Sequence, residues 1–128
     1  HGGHVSVTDG RYVYMRAPQS DDAGPLFNYT LMPTNMKGWL SKKGFEQAEV
    51  VEPFGFTKNM RLLKMPAADK WGSPKDFGNL LYDTRTDPGQ ENPLQDPEIE
   101  KRLIAEMIRL MKENEAPPEQ YERLGLEV

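Results

Sequence analysis

The sequence predicts an α+β fold, in which about four strands form a small antiparallel sheet and a carboxy-terminal amphipathic helix packs on one face of it. Short β-branched and aromatic runs alternate with Gly- and Pro-rich turns along the first two thirds of the chain. A sustained 3.6-residue apolar period appears only near the end. The length of 128 residues predicts one domain spanning residues 1–128.

The clearest strand signal is a hairpin close to the start of the sequence. Strands are predicted at residues 4–8 and 11–17, on either side of the dipeptide Asp9-Gly10. Both residues of this dipeptide tolerate positive φ, which favours a tight turn. Alternation of apolar and polar residues predicts further strands at about 26–32, 60–65 and 80–83.

The middle of the chain carries weaker signals. Residues 41–50 have the composition of a short helix, although Gly44 weakens that interpretation. The segment Pro53–Phe56 is predicted to be a loop that places both of its Phe rings in the core.

The strongest helix signal begins at Asp96-Pro97, where Asp96 is a favourable N-cap and Pro97 suits the first helical position. An apolar stripe follows on one helix face, which predicts that this face packs on the sheet. A second short helix is predicted at Pro118–Leu124, with Gly125 as its end. The stripe consists of Ile99, Leu103, Met107, Leu110 and Met111.

Composition excludes several classes of function. The net charge of −4 and the pI of about 5.2 argue against nucleic-acid binding, which needs clustered positive charge. No apolar run approaches the roughly 18 residues that would span a membrane, so no membrane partner is expected. The absence of cysteine excludes disulfides, thiolate metal sites and a Cys nucleophile, and it favours a cytoplasmic location.

A search for catalytic chemistry finds no set of nucleophile, base and orienting group, so no catalytic residue is predicted. His1 and His4 are the only histidines. A terminal His can bind copper through its amine and ring, but alternation along a strand puts His4 on the opposite side, and no metal ligand is predicted. Asp9 and Asp87 lie in predicted turns, where Asp is favoured for its backbone hydrogen bonds.

Two segments resemble a known family. Thr8-Asp9-Gly10-Arg11-Tyr12-Val13-Tyr14-Met15-Arg16 is similar to the strand that opens the carboxy-terminal subdomain of type I sulfatases. The stretch from Leu80-Leu81-Tyr82-Asp83 to Asp87-Pro88-Gly89-Gln90-Glu91-Asn92-Pro93-Leu94 resembles the strand, turn and helix start that follow in the same family. The order and separation fit bacterial members, and the resemblance covers essentially the whole chain.

The resemblance implies that this chain is the carboxy-terminal structural and substrate-pocket subdomain of a sulfuric ester hydrolase. In that family a formylglycine and a calcium ion lie in the amino-terminal catalytic domain, so this chain needs no cofactor of its own. The formylglycine precursor motif, Cys or Ser followed by x-Pro-x-Arg, does not occur here. The start at His1, without Met, fits a chain cut from a longer protein. The partner expected is that catalytic domain.

The same resemblance makes His1 and His4 the candidate substrate-binding residues, because they lie where the chain would leave the catalytic domain. Arg11 and Arg16 are expected to support structure. The sheet face away from the terminal helix is expected to expose an apolar patch, which self-association could cover. An alternative hypothesis is an independent, non-catalytic binding module with a sheet-plus-helix fold. A small copper enzyme that uses His1 is a third.

Overall fold

The computed structural model describes residues 2–32, 34–35, 37–67 and 74–127. The fold is α+β, with small antiparallel sheets and a carboxy-terminal helix, as the sequence predicts. In chain order the elements are β1 (Val5–Thr8), β2 (Tyr12–Arg16), β3 (Phe27–Thr30), β4 (Thr34–Asn35), β5 (Gly38–Trp39), α1 (Lys42–Glu46), β6 (Glu49–Val51), β7 (Leu62–Pro66), β8 (Leu80–Asp83), α2 (Pro97–Glu113) and α3 (Pro118–Leu124).

Contacts divide the chain into two compact units. Unit 1 consists of His1–Pro25 and Asp69–Val128, and unit 2 of Leu26–Ala68. The predicted strands therefore do not share one sheet. Unit 1 contains the sheet β1-β2-β8, and unit 2 contains β3-β7-β6 together with the two-stranded β4-β5. The strands of unit 2 pair only with one another in the described part of the chain.

The hairpin β1–β2 forms as predicted, with Thr8 opposite Val13. Within the turn only Gly10 has a positive φ, at 91°. Asp9 acts through its side chain instead, because its Oδ1 accepts the backbone N–H groups of Arg11 at 2.9 Å and Tyr12 at 2.8 Å. The side chain thus replaces a backbone acceptor, which is a common role of Asp in turns.

The helix α2 also begins as predicted. The Oδ1 atom of Asp96 accepts the backbone N–H of Ile99 at 3.1 Å, and Pro97 is the first helical residue. The apolar stripe of α2 packs on β1 and β2 and centres on Leu103 and Met107, which are 0% and 2% exposed. The buried core of unit 1 consists of Val7, Tyr14, Leu81, Leu103, Met107, Leu124 and Leu126.

The sheet face away from α2 is partly covered. Alternation along the strands places Val13, Met15 and Leu80 there, all half-buried, beside the buried Tyr82. The apolar side chains that are most exposed lie elsewhere, mainly in unit 2. Among the described residues, none of the helices has both the length and the apolar character needed to cross a bilayer.

In the middle of the chain, the predicted short helix forms but is shorter than expected, and the predicted burial of both Phe rings is wrong. The segment 41–50 is helical only at Lys42–Glu46, and Glu49–Val51 is a strand because its β-branched residues pair with β7. Of the two Phe rings expected in the core, Phe56 is 70% exposed. It stacks on Phe54, with the ring centroids 5.3 Å apart, and does not pack inward.

Replacing Leu103 with Ala should lower the free energy of unfolding by about 2–5 kcal/mol, because it leaves a cavity in the fully buried contact between α2 and the sheet. The matched control is Leu31→Ala, since Leu31 is 49% exposed and the same substitution there should change stability by no more than about 0.5 kcal/mol. Urea unfolding monitored by circular dichroism measures both values. An equal decrease in the free energy of unfolding for the two variants would contradict the burial of Leu103 in the core.

Candidate functional site

The two segments that resemble the sulfatase family meet in unit 1. Tyr12 of β2 lies opposite Asp83 of β8. Arg11 Nε donates to both carboxylate oxygens of Asp83 at 3.1 Å, and Nη2 donates to Oδ2 at 2.7 Å. The backbone N–H and the Oγ1 hydroxyl of Thr84 donate to the carbonyl oxygen of Arg11 at 2.9 and 2.8 Å. Five hydrogen bonds therefore join the first segment to the second.

The Asp83 carboxylate is buried, at 5% exposure, and is held in its charged form. The Arg11 guanidinium is the main cause that lowers the pKa of Asp83, and the backbone N–H of Arg85 adds a further hydrogen bond. The same ion pair raises the pKa of Arg11 above its usual value. A bidentate, charge-assisted pair of this kind is stronger than a neutral hydrogen bond and fixes the geometry of both side chains.

His4, one of the two candidate substrate-binding residues, lies just before β1 and is half-buried. Its Nε2 atom is 2.9 Å from the carbonyl oxygen of Gly78. Since a carbonyl oxygen only accepts, Nε2 must carry the proton in this contact. The bond fixes the imidazole beside the start of β8. His1, the other candidate, lies outside the described residues.

The segment before His4 is held by α3. The Nη1 atom of Arg123 donates to the carbonyl oxygens of Gly2 at 3.2 Å and Gly3 at 3.1 Å, although Arg123 is only 2% exposed. A buried guanidinium needs such acceptors to offset its loss of water. The role of Arg123 was not predicted from the sequence. The available signal was an Arg in the last turn of a short helix that ends at Gly125, where φ is 60°.

Arg16 has the structural role expected of it. Its Nε atom donates to the carbonyl oxygen of Leu124 at 2.8 Å and its Nη2 atom to that of Gly125 at 2.9 Å. Both acceptors belong to the end of α3, where helix carbonyls lack partners within the helix. Arg16 and Arg123 thus tie α3 to β2 and to the segment that precedes β1.

A cleft of about 390 Å³ lies between β8 and the start of α2. Leu94 and Pro97 give it apolar walls, while Asp96 and Glu100 make it acidic. At its base the buried hydroxyl of Tyr14 donates to Glu100 Oε1 at 2.9 Å. Burial is the main cause that raises the pKa of Tyr14, so this phenol stays protonated near neutral pH. The cleft therefore combines apolar and acidic side chains.

Within the part of the chain that the structure describes, no three His, Cys, Asp or Glu side chains come together in a way that could hold a metal ion. Asp9 and Asp87, assigned to turns from the sequence, both make turn contacts. The Oδ2 atom of Asp87 accepts the backbone N–H of Asn92 at 2.8 Å.

Comparison with known proteins gives no relative: no protein-family model, no curated protein and no solved structure matches this chain. The sulfatase resemblance therefore rests on the two sequence segments, and what it implies for function stays a prediction.

Acid should destabilise the fold partly through Asp9. Hydrogen bonds from the Tyr12 backbone, the Arg102 side chain and the Arg11 backbone lower its pKa from 3.8 to about 2. Because the pKa in the folded state is below that of the unfolded state, this stabilisation is present above about pH 4 and is lost as the pH falls towards 2. Melting temperatures measured between these pH values should fall less steeply for Asp9→Asn than for the native chain. The exposed Asp76→Asn variant is the control and should keep the native slope.

Substitution of Arg123 by Met should release the segment that carries His4. The loss of charged hydrogen bonds to Gly2 and Gly3 should cost about 1.5–3 kcal/mol and speed amide exchange at Gly3 and His4. Hydrogen-exchange mass spectrometry measures the exchange. The control is Arg85→Met, since Arg85 is exposed. Unchanged exchange near His4 in Arg123→Met would contradict the assigned role.

Proposed function

We propose that this chain is the carboxy-terminal structural and substrate-pocket subdomain of a sulfatase, a sulfuric ester hydrolase. The nucleophile and the metal site of the enzyme would lie in a separate amino-terminal catalytic domain. The observation that carries the proposal is the Arg11–Asp83 ion pair, because it joins the two segments that resemble the family. The two segments would then occur together in one sequence because each supplies one partner of this ion pair.

The contacts support a structural role for most of the shared residues. Asp9 closes the hairpin turn, Arg11 and Asp83 pair, and Thr84 bonds back to Arg11. These side chains could be required for the fold of the subdomain without contacting a substrate. They would hold the sheet in the shape that a catalytic domain could use as one wall of its pocket.

His4 is the residue that we assign to the substrate side. Its ring is fixed by Gly78, and the segment before it is fixed by Arg123. An imidazole whose ring is hydrogen-bonded and whose preceding backbone is anchored is preorganised, which reduces the cost of ordering it when a ligand binds. The half-buried face of Val13, Met15 and Leu80 is the surface that we assign to the catalytic domain.

The first test is the coding sequence upstream of the codon for His1. The proposal expects a continuous reading frame that contains Cys or Ser followed by x-Pro-x-Arg. The purified 128-residue chain should not hydrolyse an aryl sulfate. A frame without that motif, or turnover that survives repurification of the isolated chain, would contradict the proposal.

In the full-length enzyme, His4→Ala should lower kcat/KM for a sulfate ester about tenfold, equivalent to about 1.4 kcal/mol of transition-state binding. His4→Gln is the matched variant, because its side-chain amide can still donate to the Gly78 carbonyl while it lacks the imidazole. If the imidazole contacts substrate, both variants lose activity. If only His4→Ala does, the role of His4 is structural and the substrate assignment is wrong.

A further inference from the structure

Charge is divided unequally between the two units. Leu26–Ala68 contains six Lys and Arg against three Glu, a net charge of +3. The remainder of the chain contains ten Lys and Arg against seventeen Asp and Glu, a net charge of −7. The overall charge of −4 conceals this asymmetry. Two copies of such a chain attract each other whenever the basic unit of one meets the acidic unit of the other.

Exposed apolar side chains follow the same division. Nine large hydrophobic residues are markedly exposed in the described part of the chain, and seven of them belong to unit 2. Trp39 is the most exposed of the nine, at 77%. Exposed apolar groups concentrated in one region mark a surface that another molecule covers. The seven are Leu31, Met32, Trp39, Phe45, Val50, Phe56 and Met60.

Trp39 lies within a short basic segment, which we call the Trp39 segment and define as residues 37–45. It contains Trp39 and Phe45 together with Lys37, Lys42 and Lys43. The helix α1 overlaps this segment and ends at Glu46; it has no buried residue, and its Lys42 pairs with Glu46. Phe56, the other strongly exposed aromatic residue of unit 2, already uses one ring face to stack on Phe54. The Trp39 segment is therefore the better aromatic anchor for a partner.

The cleft between β8 and the start of α2 has the complementary chemistry. Leu94 and Pro97 supply apolar walls, and Asp96 and Glu100 supply negative charge. Leu94 is itself 41% exposed and stands at the rim. The volume of about 390 Å³ lies in the range of pockets that hold an aromatic group.

We propose that this chain self-associates, with the Trp39 segment of one copy seated in the β8–α2 cleft of another. The indole of Trp39 contacts Leu94 and Pro97, and the lysines that flank it face Asp96 and Glu100. The occupant is a second copy because one sequence supplies both the basic aromatic segment and the acidic apolar cleft. This self-association goes beyond the proposed function and stands or falls independently of it.

Sedimentation velocity of the full chain across roughly 1 µM to 1 mM tests the proposal. The mean mass should rise with concentration. The association should weaken as the ionic strength rises from about 0.1 M to about 1 M, because the screening length falls from about 10 Å to about 3 Å. A chain that stays monomeric over the whole range would overturn the proposal.

Variants identify the contact. Trp39→Ser and Leu94→Lys should each raise the dissociation constant about tenfold or more, as expected for residues central to an interface. Val50→Ser is the matched apolar control, because Val50 is 64% exposed in the same unit, and it should leave the constant unchanged. Combining Lys43→Glu with Leu94→Lys gives the segment a new carboxylate and the cleft a new ammonium group, which should attract each other and partly restore association. Equal effects of Trp39→Ser and Val50→Ser would overturn the assignment.

Circular dichroism and melting temperature show whether each variant is folded. If Trp39→Ser fails to fold, Lys43→Glu takes its place. It should also raise the dissociation constant, and it removes no apolar group. Vesicles of phosphatidylglycerol test the competing occupant. Binding to them that depends on Trp39, by a chain that remains monomeric, would assign the segment to an anionic lipid surface and overturn the proposal.

Discussion

The ion pair between Arg11 and Asp83 is the interaction on which unit 1 depends. The Asp83 side chain is only 7% exposed, whereas that of Arg11 is 42% exposed. A buried carboxylate without a partner is strongly unfavourable, so the hairpin turn must bring Arg11 to β8 for the sheet to form. The bonds from Thr84 to the Arg11 carbonyl then fix the backbone at the same place.

The Arg11–Asp83 pair also affects the core, because it fixes the register between β2 and β8. With Tyr12 opposite Asp83, Tyr14 lies opposite Leu81, and both face the stripe of α2. A slip of one residue would turn every side chain of β2 to the other face. Tyr14 would then leave the core that it shares with Leu103 and Met107. The hydroxyl of Tyr14 would also lose Glu100, which links the sheet to the first turn of α2.

Local signals in the sequence were reliable where a single residue determines the structure. Asp96 as the cap of α2, Gly10 in the hairpin turn and Gly125 at the end of α3 were all predicted and are confirmed. Contacts between residues distant in sequence were not predictable in this way. The residues around Arg123 in the sequence do not indicate that it contacts Gly2, which is 121 positions away along the chain.

The division of the described strands among three sheets was not predicted, for a related reason. Alternation identifies a strand but not its partner, and the strand at Glu49–Val51 has only three residues. The cleft was missed because its lining comes from β2, β8 and the start of α2, which meet only in the folded chain. His4 was identified as a candidate, but its bond to Gly78 was not.

The claim that the Arg11–Asp83 pair joins the two segments is tested most directly by a double-mutant cycle on Arg11→Met and Asp83→Asn. The free energy of unfolding of the full chain is measured in urea. If the pair joins the two segments, Arg11→Met should destabilise the chain more than Asp83→Asn, because it leaves a buried carboxylate unpaired. The double variant should then lose no more stability than Arg11→Met alone. A double variant whose loss equals the sum of the two single losses would contradict the claim.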